Sequence, residues 1–398
     1  MDFAIPSLLF SLYPLLFLMR KVSIVGIGQV PVKKQYEERM RTIATTAVKA
    51  AMEEAGVARV DALFAGNMLA DELQGQKHLA ALIADEVGLD LIEALEVRAA
   101  TATGAAALRM AYLAVASGEA DSAVAVGVEK MSGGQATPAL AKALDARYEV
   151  PSGDTLISKN AELMRMYIDK YKMPEDGLVN FSINAHKNGV TNPNALFKKE
   201  IDRDTVMNSR VISHPIRLFD CSPVCDGAAA VLLVPTEEAR AYHENPVHIM
   251  ASSVSTDRFR IADRPEPLLL RAARMSAVQA FRRANVNRKD VDFYEVHDAF
   301  SIMACLLLEA TGFAKQGEGW RMAAENRIDL DGELPLATMG GLKARGHPVG
   351  ATAIYQTCEI VQQLTGRAGA NQLDGPEIAM LQSVGGAAST VLTHIFGI

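Results

Sequence analysis

Apolar and polar positions follow two rhythms along this chain. Short β-branched or apolar runs at residues 22–27, 60–64, 227–234, 247–251 and 291–294 read as strands. Longer stretches with helical spacing cover residues 105–117, 161–172 and 353–364. The first of these helices is rich in alanine and stops at Gly118, as a tightly packed buried helix with a glycine C-cap does. Strands alternating with helices predict α/β layers around buried, mostly parallel sheet.

The rhythm repeats. Ala47-Val48-Lys49-Ala50, a turn at Gly56-Val57 and the run Val60-Asp61-Ala62-Leu63-Phe64 form one copy. Ala277-Val278-Gln279-Ala280, a turn at Asn285-Val286 and Val291-Asp292-Phe293-Tyr294 form the other. A strand precedes each, so the chain reads as a duplicated unit. The first half spans 19–240 and the second 246–398. Residues 132–215 break the pattern with Gly133-Gly134, Pro138, Pro151-Ser152-Gly153-Asp154 and a basic stretch near Lys187, Lys198 and Lys199. An insertion this long between regular elements usually has a function. Two returning strands, near Arg217-Leu218-Phe219 and at 227–234, close the first half.

Composition narrows the function classes. With 398 residues, 49% hydrophobic and 22% charged, the chain is long enough for two globular units. A formal charge of −7 argues against nucleic acid as a partner, though it allows a local basic patch for an anionic ligand. Four scattered cysteines make no disulfide framework. Cys221 and Cys225 lack a second Cys/His pair at ligand spacing, so no metal site is expected. Reduced thiols predict a cytoplasmic setting.

Residues 3–19 are almost wholly apolar, carry Pro6 and Pro14, and are followed by Arg20-Lys21. They lack the flanks of a signal peptide, and the two prolines make a poor membrane span. Residues 1–18 therefore read as a leader outside the working fold, with a short membrane anchor as the alternative. As an anchor, it would still leave the fold on the cytoplasmic side, because Arg20-Lys21 follow it.

Candidate chemistry lies in three segments. Gly340-Gly341-Leu342-Lys343-Ala344-Arg345-Gly346-His347-Pro348-Val349-Gly350-Ala351-Thr352 is a glycine-rich turn leading into a helix. It is expected to hold His347 at a helix N-terminus, either as an acid/base or oxyanion-binding group or as a cap in a tight turn. The matching place in the first half is Glu96-Val97-Arg98-Ala99-Ala100-Thr101-Ala102-Thr103-Gly104. A pseudo-two-fold axis would bring the two helix starts face to face, so that Thr101 and His347 share one site. The third segment is His297-Asp298-Ala299-Phe300 at a strand end, where Asp298 reads as the N-cap of the next helix.

Together with Asp226-Gly227-Ala228-Ala229-Ala230 and Ser383-Val384-Gly385-Gly386, these segments resemble the thiolase superfamily. They are most similar to its sterol-carrier-protein-2-type and archaeal-type members. The resemblance implies two pseudo-symmetric α/β halves of five-stranded mixed sheet in layers, with an inserted loop domain that helps bind coenzyme A. It also implies acyl-CoA substrates, a homodimer or tetramer, and no permanently bound cofactor. His347 and His297 would be catalytic, and Thr101 would stand at the nucleophile position. Gly346, Gly385, Gly386 and Arg210 would bind the cofactor portion of the substrate. Lys198, Lys199 and Arg210 also suit phosphate contacts by their charge, though solvated surface charges are the favoured reading of all three.

The chain departs from the family pattern at every thiol position. Thr101 stands where the reactive cysteine belongs, Ala299 occupies the third place of a His-Asp-Cys-Phe motif, and Ser383 replaces the closing cysteine. Cys305 and Cys358 read as core residues, while Cys221 and Cys225 lie near a strand start. An alkoxide is far harder to form than a thiolate, so Thr101 reads as a cap or oxyanion contact. Three functions follow from the resemblance. One is an acetyl-CoA acetyltransferase-type C-acyltransferase. Another is a thiolase-like retro-aldol lyase on a β-hydroxyacyl-CoA, working with an OB-fold (DUF35-like) partner. The third is a non-catalytic acyl-CoA-binding or scaffold subunit.

Overall fold

Nine strands carry the architecture in the computed structural model, which describes residues 19–398; the expected leader lies outside the described residues. They are β1 (Val22–Gln29), β2 (Ala62–Gly66), β3 (Glu93–Val97), β4 (Ala123–Lys130), β5 (Asp226–Pro235), β6 (Val247–Thr256), β7 (Phe293–Glu295), β8 (Ile378–Gly385) and β9 (Thr390–Gly397). Their order along the sheet is β3-β2-β4-β5-β1-β6-β9-β8-β7. The duplication is visible in that order. Both halves run from an outer parallel pair, through antiparallel neighbours, to their own first strand.

The two sheets expected from the sequence are joined edge to edge, with five strands from the first half and four from the second. The joint is short, pairing only Ser23 with His248 and Ile24 with Val247. Where a counterpart of β3 would lie, the second half has a single bridge between Tyr294 and Leu336. The run at residues 217–219 is not a strand of this sheet. Arg217 ends a two-residue strand of a separate ribbon, and Leu218–Asp220 curl into a 3₁₀ turn. Asp220 accepts the Arg217 N–H at 2.9 Å, and Lys343 Nζ takes the Phe219 and Asp220 carbonyls at 3.2 and 2.6 Å. Those groups are therefore unavailable to a ladder.

Six helices frame the site: α1 (Met40–Glu54), α2 (Thr103–Ser117), α3 (Leu156–Tyr171), α4 (Arg271–Ala284), α5 (Ser301–Thr311) and α6 (Thr352–Leu364). α1 and α4 contain the two copies of the repeat noted in the sequence. Strand periodicity separates the layers. On β5, Ala228, Ala230, Leu232 and Val234 face α1, while Ala229, Val231 and Leu233 face a central layer containing α2 and α6. α6 is buried at every residue except Gln362, as a helix covered on all sides must be. The insertion places Ala161, Leu163, Met164 and Tyr167 of α3 on the second half's core, against Leu270 and Met303. Thr155 and Ser158 start α3 with a reciprocal capping box, at 3.1 and 2.9 Å.

The starts of α2 and α6 meet as the repeat predicts. A Cβ on Gly104 would lie 2.8 Å from the Gly350 carbonyl oxygen. One on Gly127, in β4, would lie 2.5 Å from that oxygen and 2.6 Å from Ala351 Cα. Because these obstacles are backbone, Gly127→Ala is expected to destabilise the protein by about 1–3 kcal/mol through overpacking, measured as a lower urea midpoint at unchanged m-value.

Candidate active site

Two loops and a strand end place Thr101, His297, His347 and Gly386 around one cavity, while the predicted Gly346 and Gly385 do not line it. The Thr101 loop comes first. Ala100 is held at φ 49°, and Thr103 Oγ1 closes the turn by accepting the Ala99 N–H at 2.9 Å and donating to the Ala100 carbonyl at 2.6 Å. Thr101 is buried and is not a cap, since Ala102 fills that position. Its hydroxyl instead donates to the Val384 carbonyl at 2.6 Å. Gly385 makes this possible: a Cβ there would meet the Ala99 carbonyl oxygen at 2.6 Å.

His347 lies between one wide π-type turn, Gly341–Arg345, and the start of α6 at Thr352. It is thus five residues before the helix rather than at its terminus. The link to the helix is through side chains, with His347 Nδ1 2.6 Å from Thr352 Oγ1. That hydroxyl can also donate to the Pro348 carbonyl, at 3.1 Å. When Thr352 donates to Pro348, His347 Nδ1 carries the proton and Nε2 is a base; when Thr352 donates to Nδ1, Nε2 is a donor. Gly346, at φ 116°, leaves no room for a side chain, whose Cβ would lie 2.6 Å from Val32 Cγ1. The His347 N–H donates to Cys225 Sγ at 3.1 Å.

His297 follows β7, and its ring meets that of His347 edge-on, with centroids 5.2 Å apart. Its Nδ1 is buried and has no hydrogen-bond partner among the described residues. Asp298 does not cap α5; that position is Phe300, without a side-chain cap. Asp298 Oδ1 instead accepts the Leu342 N–H at 2.7 Å, which fixes the His297 segment to the turn before His347.

Two buried groups that sequence reasoning missed hold these loops. Glu129, at the end of β4, receives four N–H donors: Met68 N and Gly350 N on Oε2 at 2.9 and 3.0 Å, and Asn67 Nδ2 and Leu69 N on Oε1 at 2.9 and 3.1 Å. Burial pushes its carboxyl up to about 7, against the pull of those donors. Arg345 is fully buried, donates to Glu359 at 3.1 Å and to the Gly346 carbonyl at 2.7 Å, and lies over the Tyr355 ring. Its sequence signal was present inside the glycine-rich turn, but the same pattern suits an exposed arginine.

Burial, reinforced by the Arg345 charge, lowers the His297 imidazole to about 3. Burial, His297 and Arg345 together hold His347 well below the usual range. Both rings are therefore neutral in the ordinary working range of pH. Cys221 faces the same cavity, but its Sγ points to the Arg217 carbonyl at 3.6 Å and burial pushes the thiol up to about 12. Burial likewise raises Cys225 to about 12. Cys305 and Cys358 are buried in the core, and Ser383 Oγ, in β8, is buried without a partner among the described residues.

The cavity of about 100 Å³ is lined by Thr101, His297, Ala299, His347 and Gly386 on its polar side. Leu140, Leu156 and Met303 supply apolar wall. Arg210, Lys198 and Lys199 are exposed and do not line it. Lys198 donates to the Pro193 carbonyl at 3.0 Å. A larger groove of about 540 Å³ runs along α4 and the end of α5, but none of the predicted site residues lines it. The described residues include no cluster of three or more His, Cys, Asp or Glu placed to hold a metal. They also include no helix long and apolar enough to cross a membrane.

A repeated α/β unit whose paired loops meet over two histidines defines a thiolase-type fold. The "Thiolase, N-terminal domain" family model matches residues 22–237 and the "Thiolase C-terminal domain-like" model matches 253–398, so the chain belongs to the thiolase family. It is similar to the acetyl-CoA acetyltransferase of Methanothermobacter thermautotrophicus, with 41% identity covering 95% of this chain and 100% of that protein. Human sterol carrier protein 2 is 27% identical, over 94% of this chain and 72% of that protein. Among solved structures, an Ltp2-ChsH2(DUF35) aldolase superposes with a TM-score of 0.84 at 23% identity, covering 96% of this chain and 98% of that one.

The neutral histidines give the protein a defined acid sensitivity. His297 has a lower pKa folded, about 3, than the ordinary value of 6.5 it takes when unfolded. As pH falls below 6.5, the unfolded chain binds a proton that the folded one refuses, so stability is lost. Fully neutral burial would cost about 2 kcal/mol between pH 7 and pH 5. His297→Asn is expected to lose correspondingly less stability than the parent over that interval, read from urea melts at the two pH values.

Proposed function

We propose that this protein cleaves or forms a carbon–carbon bond next to a CoA thioester without a cysteinyl acyl-enzyme, as a retro-aldol lyase on a β-hydroxyacyl-CoA. The observation that carries this reading is the Thr101 hydroxyl, committed at 2.6 Å to the Val384 carbonyl at the nucleophile position. A hydroxyl donating to a carbonyl is not activated, and no base is bonded to it. Retro-aldol cleavage needs no such nucleophile. It needs a base for the β-hydroxyl and donors for the enolate oxygen.

The two histidines suit those roles. His347 Nε2, with Nδ1–H directed at Thr352, takes the β-hydroxyl proton. The Cα–Cβ bond then breaks to release an aldehyde, and its electron pair enters the thioester enolate. Neutral His297 donates to the enolate oxygen. The imidazolium forms only beside that anion and returns its proton to the α-carbon, giving the shortened acyl-CoA. The likeness in fold to the DUF35-containing aldolase supports the expectation of an OB-fold partner, and assembly as a homodimer or tetramer is part of the same reading. We place the protein in the cytoplasm and in acyl-lipid metabolism.

Acyl transfer of acetyl-CoA acetyltransferase type is the second reading, favoured by the 41% identity to the archaeal protein. It would have to use Thr101 or the raised Cys221 thiol. With any co-purifying partner retained, the expected outcome is no thiolysis of acetoacetyl-CoA, aldehyde release from β-hydroxyacyl-CoA, and loss of that release by at least about a hundredfold in His347→Ala. Robust thiolysis together with an acyl adduct on Thr101 or Cys221 by intact-mass measurement would establish acyl transfer instead. Thr101→Cys is expected to gain an adduct that the parent lacks.

A further inference from the structure

We infer that Asn160 is a specificity residue that accepts a hydrogen bond from a hydroxyl on the acyl group, so that the site selects hydroxyacyl over unsubstituted acyl thioesters. Asn160 lies on α3, in the insertion, and lines the same small cavity as Thr101, His297 and His347. Its side chain is 2% exposed, and its Oδ1 is buried with no hydrogen-bond partner among the described residues. The amide orientation is fixed, because Nδ2 donates to the Leu156 carbonyl at 2.9 Å. Turning the amide over would set Oδ1 against that carbonyl oxygen. The free atom is therefore an acceptor, and an acceptor discriminates: a hydroxyl can donate to it, whereas a methylene or a keto oxygen cannot.

The competing acceptor in the cavity is His347 Nε2, which the substitution His347→Ala removes. Thr155 Oγ1 accepts the Ser158 N–H, and the Thr101 hydroxyl donates to Val384. Leu156, Ile157 and Met303 give the same cavity apolar wall, and a buried unmet acceptor there is costly and a matching donor correspondingly favourable. The inference rests on the lyase reading for the position of the hydroxyl, at C3: that hydroxyl donates to Asn160 on binding and turns its one proton to His347 Nε2 for cleavage, while the acceptor exists independently of any turnover.

The test compares hexanoyl-CoA with each enantiomer of 3-hydroxyhexanoyl-CoA by equilibrium titration. Full-length His347→Ala protein is used, so that cleavage does not consume the ligand. One 3-hydroxy enantiomer is expected to bind about tenfold tighter than hexanoyl-CoA. Adding Asn160→Leu is expected to equalise the two while leaving hexanoyl-CoA binding unchanged or tighter. Asn160→Ala, which keeps the helix and adds no bulk, should give the same equalisation if the leucine variant does not fold. No preference in the parent background, or a preference that survives both substitutions, overturns the assignment. Hydroxyl preference without aldehyde release from the otherwise unaltered protein would sink the lyase reading and leave the Asn160 subsite standing. Aldehyde release without hydroxyl preference would do the reverse.

Discussion

The site depends on one buried carboxylate. Glu129 gathers backbone N–H groups from the turn after β2 and from Gly350, and so clasps the two halves together where their loops converge. Four donors directed at two oxygens leave neither oxygen unsatisfied, which is how a carboxyl can sit in a fully buried position at all. The clasp also sets how closely α6 approaches β4 and α2. At that separation Gly104, Gly127 and Gly350 are required, because a methyl group at any of the three would strike the facing half. His347 is carried on the segment so fixed, and the distance between its ring and His297 follows from it.

The protein environment of each candidate nucleophile disfavours covalent capture, which supports the proposed lyase reading. At the nucleophile position the hydroxyl is engaged with a carbonyl, and the remaining thiols are raised by burial rather than activated. The imidazoles, in contrast, are neutral and line one cavity. In the proposed reading such a site moves protons and polarises carbonyls without covalent capture.

Much of this was legible in the sequence. The duplicated helix–turn–strand units, the alanine-rich α2 and the pairing of the Thr101 and His347 loops follow from periodicity and repeated order. Local spacing gave no access to contacts set by tertiary partners. Asp298 has the position of an N-cap, but it is drawn to the Leu342 N–H across the site. Residues 217–219 have strand-like composition, yet Asp220 and Lys343 take their backbone groups. Glu129 ends an apolar strand and Asn160 sits within an ordinary amphipathic helix. Nothing local distinguishes either from a solvated residue; only the burial created by the other half does.

Arg345 carries a consequence of its own. A fixed positive charge beneath two imidazoles penalises a second cation there, and by the same field it favours an anion above them. Glu359 balances part of that charge through Nε, while Nη2 has no partner among the described residues. On the proposed lyase reading, that field would make the arginine a built-in counter-ion for the enolate. Charge balance for that anion would then be arranged before the substrate arrives.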